Sequence, residues 1–179
     1  MTRRLFYAVE FPEDIRQKLF QAGQELAAFA DRGRWTRPEN IHLTLQFLGE
    51  CPAAWLPDLT DIARQAAAAS HSFTMYFAGA GTFGRTSDIL WIGIRPQPAL
   101  SALAAHLADL LRLKELPCEA RRFSPHITIG RQVRLDSRQL SAWSMPPLEC
   151  RIDAISLMES TRIEEKLVYR AICREKLLL

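Results

Sequence analysis

Two four-residue stretches, His42-Leu43-Thr44-Leu45 and His126-Ile127-Thr128-Ile129, repeat one pattern 84 residues apart. Each alternates polar and apolar side chains with the period of two of a half-buried β-strand. His42 and Thr44 therefore share one strand face while Leu43 and Leu45 enter a core. His126 and Thr128 stand in the same way over Ile127 and Ile129. A fold that holds both strands must bury two apolar faces and turn two imidazoles and two hydroxyls the other way. A lone strand histidine is commonly a satisfied, partly buried side chain, so the pairing carries the weight. His71, after an alanine-rich helical run, and His106, in an amphipathic helix, read as structural.

The repeat extends beyond the motifs. Leu5-Phe6-Tyr7 falls against Ile89-Leu90-Trp91 at the same offset of 84, and each half runs strand, helix, HxTx strand. This order predicts an internal duplication over residues 1–179, a single domain of two lobes with one HxTx strand from each half across a central groove. Hydrophobic periodicity predicts strands at 5–9, 73–77 and 89–94. It predicts helices at 12–30, 57–69 and 98–114. The first helix carries Ile15, Leu19, Ala22, Leu26 and Phe29 on one stripe. The second turns Leu59, Ile62, Ala63 and Ala66 inward, and the third Leu100, Leu103, Leu107 and Leu110. Residues 31–34 read as a helix break, Gly49-Glu50 as the end of the first HxTx strand, and the glycine-containing stretch 79–84 as a loop. Residues 151–158 and 166–172 read as a terminal hairpin.

Composition narrows the function. A chain of 179 residues, 48% hydrophobic and 24% charged, is long enough for a substantial core, and a formal charge of +3 permits an anionic substrate without announcing an extended nucleic-acid surface. Cys51, Cys118, Cys150 and Cys173 lack metal-ligand spacing and fit reduced thiols of a cytoplasmic protein. No apolar run reaches membrane-spanning length, and the N-terminus lacks the pattern of a signal peptide. The glycine stretch lacks the lysine and Ser/Thr of a phosphate loop, and no HExxH, HxH or GxSxG appears. Asp58, Asp61 and Asp88 have no spacing that assembles them into a metal site, so neither metal nor cofactor is expected.

Two histidines on opposite sides of one phosphorus can divide acid and base work near neutral pH. Thr44 and Thr128 can donate to phosphate oxygens, and Arg131 can offset developing charge. Which histidine is the acid stays open on these grounds, because the motifs are near-symmetric. Arg34, Trp35 and Arg37 precede the first motif, and Arg121, Arg122 and Phe123 the second. Aromatic and basic side chains together suit a nucleotide end, with Trp35, Arg37, Arg122 and Phe123 the expected groove. Phe47 continues the register of Leu43 and Leu45 and is expected in the core.

Paired HxTx motifs at this separation resemble the 2H phosphoesterase superfamily, and the chain is most similar to its RNA 2′,3′-cyclic phosphodiesterase family, also called 2′-5′ RNA ligases. The resemblance covers nearly the whole chain: residues 4–9, 34–50, 90–93, 122–129 with Arg131, and 156–160. Residues 83–89 match least well. It implies a bilobal α+β fold with two antiparallel sheets lining a central cleft and helices outside. It implies metal-free opening of RNA 2′,3′-cyclic phosphate ends to 2′-phosphomonoesters, with His42 as general acid toward the 3′-oxygen and His126 as general base toward water. Thr44, Thr128 and Arg131 would hold the phosphate. Reversal would join a 5′-hydroxyl end through a 2′-5′ bond. The expected partner is such an RNA end, or a small cyclic-phosphate nucleotide, acted on by a monomer away from membranes. A non-catalytic RNA-end binder would have no need of both proton-transfer groups, and a metal-dependent phosphatase would be sensitive to EDTA.

Overall fold

The apolar run expected near the N-terminus becomes an interior strand of the first of two sheets. The computed structural model describes residues 1–84 and 89–179, so Asp88 and most of the 83–89 stretch lie outside the described residues. β1 (Thr2–Glu10) leads into α1 (Glu13–Ala27), β2 (Ala30–Trp35) and β3 (His42–Pro52). Next come α2 (Leu56–Ala68), β4 (Phe73–Phe83), β5 (Ile89–Ile94), α3 (Pro98–Leu113) and β6 (His126–Leu135). A short α4 (Ser137–Ala142), β7 (Glu149–Ile152), β8 (Ala154–Ile163) and β9 (Lys166–Lys176) complete the chain. One sheet has the order β3-β1-β8-β9 and the other β2-β6-β5-β4-β7, with every strand pair antiparallel. The fold is α+β and bilobal, with the two HxTx strands, β3 and β6, in different sheets.

The core forms where the alternation sends apolar side chains. Leu5, Tyr7 and Val9 of β1, Leu43 and Leu45 of β3, Leu90 and Ile92 of β5, and Ile127 and Ile129 of β6 join one buried cluster with the inward stripes of the helices. Full burial of each such side chain contributes about 1.5–3 kcal/mol. Tyr7 is buried completely because its hydroxyl has a partner: it donates to the Leu59 carbonyl of α2 at 2.7 Å. The expected inward faces of α2 and α3 are buried, apart from Leu110, which is half-buried. Both predicted structural histidines lie away from the HxTx strands. His71 makes an isolated bridge with Leu178, and His106 lies on α3.

Several expected boundaries differ, each for a local reason. The first helix ends at Ala27, and Phe29 is 39% exposed, because the chain turns at Ala28 to start β2 at Ala30. Residues 31–34 are strand rather than break; β2 is an edge strand, where exposed charges such as Asp31, Arg32 and Arg34 are at home. The 79–84 stretch is the second half of β4. There Gly81 lies opposite Trp91, and a Cβ on it would fall 2.2 Å from the indole. The strand needs a residue without a side chain at this point, so the glycine signals close approach rather than a loop. The 151–158 segment divides at Asp153 into β7, which joins β4, and β8, which joins β1. β8 and β9 then form the expected hairpin, turned by Glu164 and Glu165, both at positive φ.

One irregularity occurs in both halves. Between β1 and β3, Tyr7 pairs with Gln46 and Ala8 with Thr44, leaving Leu45 as an extra residue. Between β5 and β6, Leu90 pairs with Gly130 and Trp91 with Thr128, leaving Ile129 extra. A bulge reverses the alternation beyond it. Gln46 therefore turns inward and is buried, while Phe47 comes out on the face of His42 and Thr44. This corrects the expectation that Phe47 belongs to the core. The same reversal brings Arg131, 84 residues on, to the face of His126 and Thr128. The registers also adjust the internal match. Tyr7 corresponds to Leu90 and Val9 to Ile92, an offset of 83, which aligns buried positions with buried positions.

Candidate active site

His42 and His126 stand at the starts of β3 and β6 and line one cleft of about 570 Å³ between the sheets. Thr44, Thr128 and Arg131 line it beside them, so all five residues expected at the phosphate come together. A cleft of this volume accommodates a nucleotide. Both histidines are half-buried and are held in the same way. His42 Nδ1 lies 2.8 Å from the Asn40 carbonyl oxygen, and His126 Nδ1 lies 2.8 Å from that of Ser124. A carbonyl oxygen can only accept, so each Nδ1 carries the proton and donates it. Each neutral ring therefore keeps its lone pair on Nε2, the nitrogen free to exchange protons.

Aromatic edges fix the ring planes. Tyr169 of β9 meets His42 edge-on at 4.9 Å between centroids, and Phe6 of β1 lies 5.0 Å away on a tilted plane. Phe83 meets His126 edge-on at 4.8 Å and itself lies 5.3 Å from Trp91. His42 Nε2 also lies 3.1 Å from Thr44 Oγ1, whose hydroxyl donates to the neutral ring.

The two histidines differ electrostatically. Burial lowers the pKa of His42 below the ordinary imidazole value, and the charges of Arg131 and His126 lower it further. The Asn40 carbonyl and Glu10 act in the opposite sense. Glu10 is the strand partner of His42 across β1–β3, and its carboxylate accepts from the buried Ser156 hydroxyl of β8. At the equivalent place in the other half, His126 lies opposite Gly93. Burial raises the Tyr169 hydroxyl pKa against the pull of Arg131 and Arg4, so this phenol stays neutral.

The expected groove residues divide. Trp35 and Arg37 line the cleft with the histidines, along with Arg34. Arg37 is engaged structurally: Nη2 donates to the Leu167 carbonyl at 2.6 Å, and Nη1 lies 3.2 Å from Glu39. Buried Asn40 donates to the same carbonyl at 3.0 Å, so the tip of the β8–β9 hairpin is strapped to the entrance of β3. Arg122 and Phe123 lie instead on a second cavity that adjoins the first. Residues that spacing did not single out are Phe6, Glu10, Phe83, Ser156 and Tyr169. Their contacts depend on strand register and on the return of β8–β9 beside β1, which no local motif encodes. Among the described residues, no three His, Cys, Asp or Glu side chains form a group able to hold a metal ion, and no helix is long and apolar enough to cross a membrane. The four cysteines are free, two buried and two half-buried, and burial raises the Cys150 thiol to about 11.

A family model described as the 2′-5′ RNA ligase superfamily matches residues 10–164. An RNA 2′,3′-cyclic phosphodiesterase of Thermus thermophilus is 32% identical over 170 residues, 88% of this chain and 81% of that protein. A protein of the same name from Geobacillus stearothermophilus is 31% identical over 129 residues, which are 71% of this chain and 41% of its relative's length. Among solved structures, Escherichia coli LigT complexed with 3′-AMP superimposes with a TM-score of 0.83 at 27% identity, covering 100% of both chains.

Proposed function

The chain belongs to the 2′-5′ RNA ligase superfamily, and from that membership and the cleft geometry we propose that it opens RNA 2′,3′-cyclic phosphate ends to 2′-phosphomonoesters without a metal. The observation that carries the reading is the matched tethering of two imidazoles. Each donates its Nδ1–H to a backbone carbonyl oxygen and turns Nε2 toward a shared cleft.

The cyclic phosphate lies between the two rings. His126 Nε2 takes a proton from water, the water oxygen attacks phosphorus, the P–O3′ bond breaks, and His42 Nε2 delivers its proton to O3′. Thr44 and Thr128 hydroxyls and the Arg131 guanidinium hold the non-bridging oxygens as charge builds on them. Glu10 favours the charged form of His42, and the assignment of His42 as the acid follows the family resemblance. Burial works against that form, and an anionic phosphate beside the ring works in its favour. When a substrate oxygen replaces the Thr44 partner, the hydroxyl is freed to donate to phosphate. With the nucleoside held in the cleft near Trp35, a 5′-hydroxyl in place of water gives 2′-5′ ligation, and abundant water favours hydrolysis. The site is built from one chain, which fits a monomer, and free thiols fit a reducing cytoplasm. The shared order of strands, helices and bulges fits duplication of an ancestral half.

The test uses an oligoribonucleotide ending in a 2′,3′-cyclic phosphate, incubated in EDTA, with products resolved as 2′- or 3′-phosphate. The 2′-phosphate is expected, and His42→Ala and His126→Ala should each abolish it. No turnover by wild-type protein that still binds the RNA end, or turnover that requires added metal, would overturn the reading.

A further inference from the structure

The net charge of +3 is small, but one edge of the second sheet is strongly cationic. Elsewhere exposed arginines lie against carboxylates, as Arg64 does against Asp61, Arg112 against Asp109 and Arg174 against Asp153. Between β2 and β6, Arg34 pairs across the strands with Arg131, and Arg32 with Arg134. All four are exposed. Among the described residues, Arg32, Arg34 and Arg131 have no carboxylate within ion-pair distance, and Arg134 reaches only Asp31, at 4.0 Å. Like charges directly opposite one another destabilise a sheet. Protection of an edge strand accounts for Arg32 and Arg34 but not for their partners, because β6 is interior, between β2 and β5. Residues 131 and 134, three apart, would face opposite sides of a regular strand. A bulge prevents this: Gln132 and Val133 together oppose Gly33, Gln132 takes positive φ and Val133 is buried, so both arginines stay on the exposed side.

The inner pair, Arg34 with Arg131, lines the cleft where the reacting phosphate is placed. The outer pair lies beyond that cleft, and an open hollow of about 440 Å³ leads toward it. Arg32, Gly33, Arg34 and Gln132 line the hollow, and Arg34 and Gln132 line the cleft as well. We propose that Arg32 and Arg134 form a site for the RNA backbone, holding the phosphodiester that links the reacting nucleotide to its 5′ neighbour, so that the strand leaves the cleft across the β2–β6 edge. The proposal rests on the reading above that the cleft takes an RNA cyclic-phosphate end. Each anion then relieves the repulsion within one arginine pair, the reacting phosphate at the inner pair and the linking phosphate at the outer. Arg34 and Arg32 are two residues apart on β2, about 6.6 Å along the strand, which is comparable with the step between successive phosphates of an extended RNA chain. Guanidinium groups suit this role because their several donors meet phosphate oxygens in pairs. The substrate that follows is an oligonucleotide end rather than a small cyclic-phosphate nucleotide.

The test compares hydrolysis of a nucleoside 2′,3′-cyclic phosphate with that of a di- and a hexaribonucleotide ending in the same nucleoside and cyclic phosphate. With wild-type protein, kcat/KM should rise at the dinucleotide and change by no more than about twofold beyond it. Arg32→Gln/Arg134→Gln should lower the ratio of kcat/KM for the dinucleotide to that for the nucleoside substrate about tenfold. Its log–log salt dependence on the dinucleotide should be shallower by about 0.7, the slope of one phosphate contact on a single strand. Its Tm should hold or rise, because a repulsive pair has been removed. Arg64→Gln/Arg112→Gln, on α2 and α3, removes the same net charge and should leave the ratio within about twofold. A dinucleotide with a neutral methylphosphonate linkage should lose the gain. An unchanged ratio in Arg32→Gln/Arg134→Gln, an equal fall in Arg64→Gln/Arg112→Gln, or a methylphosphonate dinucleotide hydrolysed as well as the charged one would overturn the proposal. So would a gain that grows in even steps to the hexanucleotide, or a nucleoside cyclic phosphate with a 5′-phosphate that outperforms the dinucleotide. Wild-type protein that hydrolyses all lengths alike would overturn the proposal alone, whereas hydrolysis of none would refute the underlying reading.

Discussion

Replacing Glu10 by glutamine removes the charge that distinguishes the two histidines while keeping nearly the same shape. Glu10 lies directly across from His42, and its carboxylate is held by Ser156. Side chains at such a pair come within about 5–6 Å. At about 6 Å and an effective dielectric constant of about 40, a unit charge contributes about 1.4 kcal/mol, or about one pH unit of a neighbour's titration. Glu10 is exposed, and water reduces this to about half a unit. The sign follows from the charge: without the carboxylate the imidazolium is less favoured, so the His42 pKa falls below its already lowered value. The titratable and charged groups facing His42 that remain are Arg131, His126 and neutral Tyr169, and the charge of Arg131, like that of His126 when it is protonated, acts in the same downward direction. Imidazole resonances followed by NMR through a pH titration would give the shift at His42, and the alkaline limb of kcat/KM should move to lower pH with it. A His42 titration that stays fixed or moves upward in Glu10→Gln, or movement of the acidic limb alone, would refute the reasoning.

Other consequences follow from the same geometry. Arg131→Ala should lower kcat by about 10²–10³ with little change in Tm, because this exposed side chain faces the reacting phosphate and contributes nothing to the core. Gly93→Ala should destabilise the fold by about 2 kcal/mol, seen as a fall in Tm of about 4–8 °C, since a Cβ there would lie 2.7 Å from the Ala78 carbonyl oxygen. Tyr169→Leu should slow hydrolysis more than Tyr169→Phe does, because the ring edge rather than the hydroxyl orients His42; equal losses would assign the effect to the hydroxyl. Inorganic phosphate should raise the His42 pKa in an NMR titration, because an anion in the cleft opposes Arg131 and His126.

The reach of the sequence can be judged residue by residue. His42, Thr44, His126 and Thr128 were legible because period-two alternation assigns strand faces, and two copies of one pattern point to one cleft. Phe47 was misplaced by that same alternation. The extra residue at Leu45 breaks the period, and nothing local in Leu45-Gln46-Phe47 signals a bulge. Arg131 gains its place from the matching bulge at Ile129, so comparison of the two halves, rather than either strand alone, locates both residues. The β2 strand was hidden by charges that suit an edge, and the second half of β4 by glycines that make room for Trp91. Glu10, Ser156 and Tyr169 come to His42 from β1, β8 and β9, and that neighbourhood exists only once the hairpin returns to β1.

The central claim is that His42 protonates the departing 3′-oxygen while His126 activates the nucleophile. A 2′,3′-cyclic phosphate with sulfur in place of the 3′-bridging oxygen tests it, because a thiolate leaves without needing a proton. Single-turnover rates would be measured for wild type, His42→Ala and His126→Ala on the oxygen and sulfur substrates. The account predicts that sulfur restores most of the rate lost in His42→Ala and almost none of that lost in His126→Ala. Equal losses on both substrates, or rescue of His126→Ala instead, would contradict it.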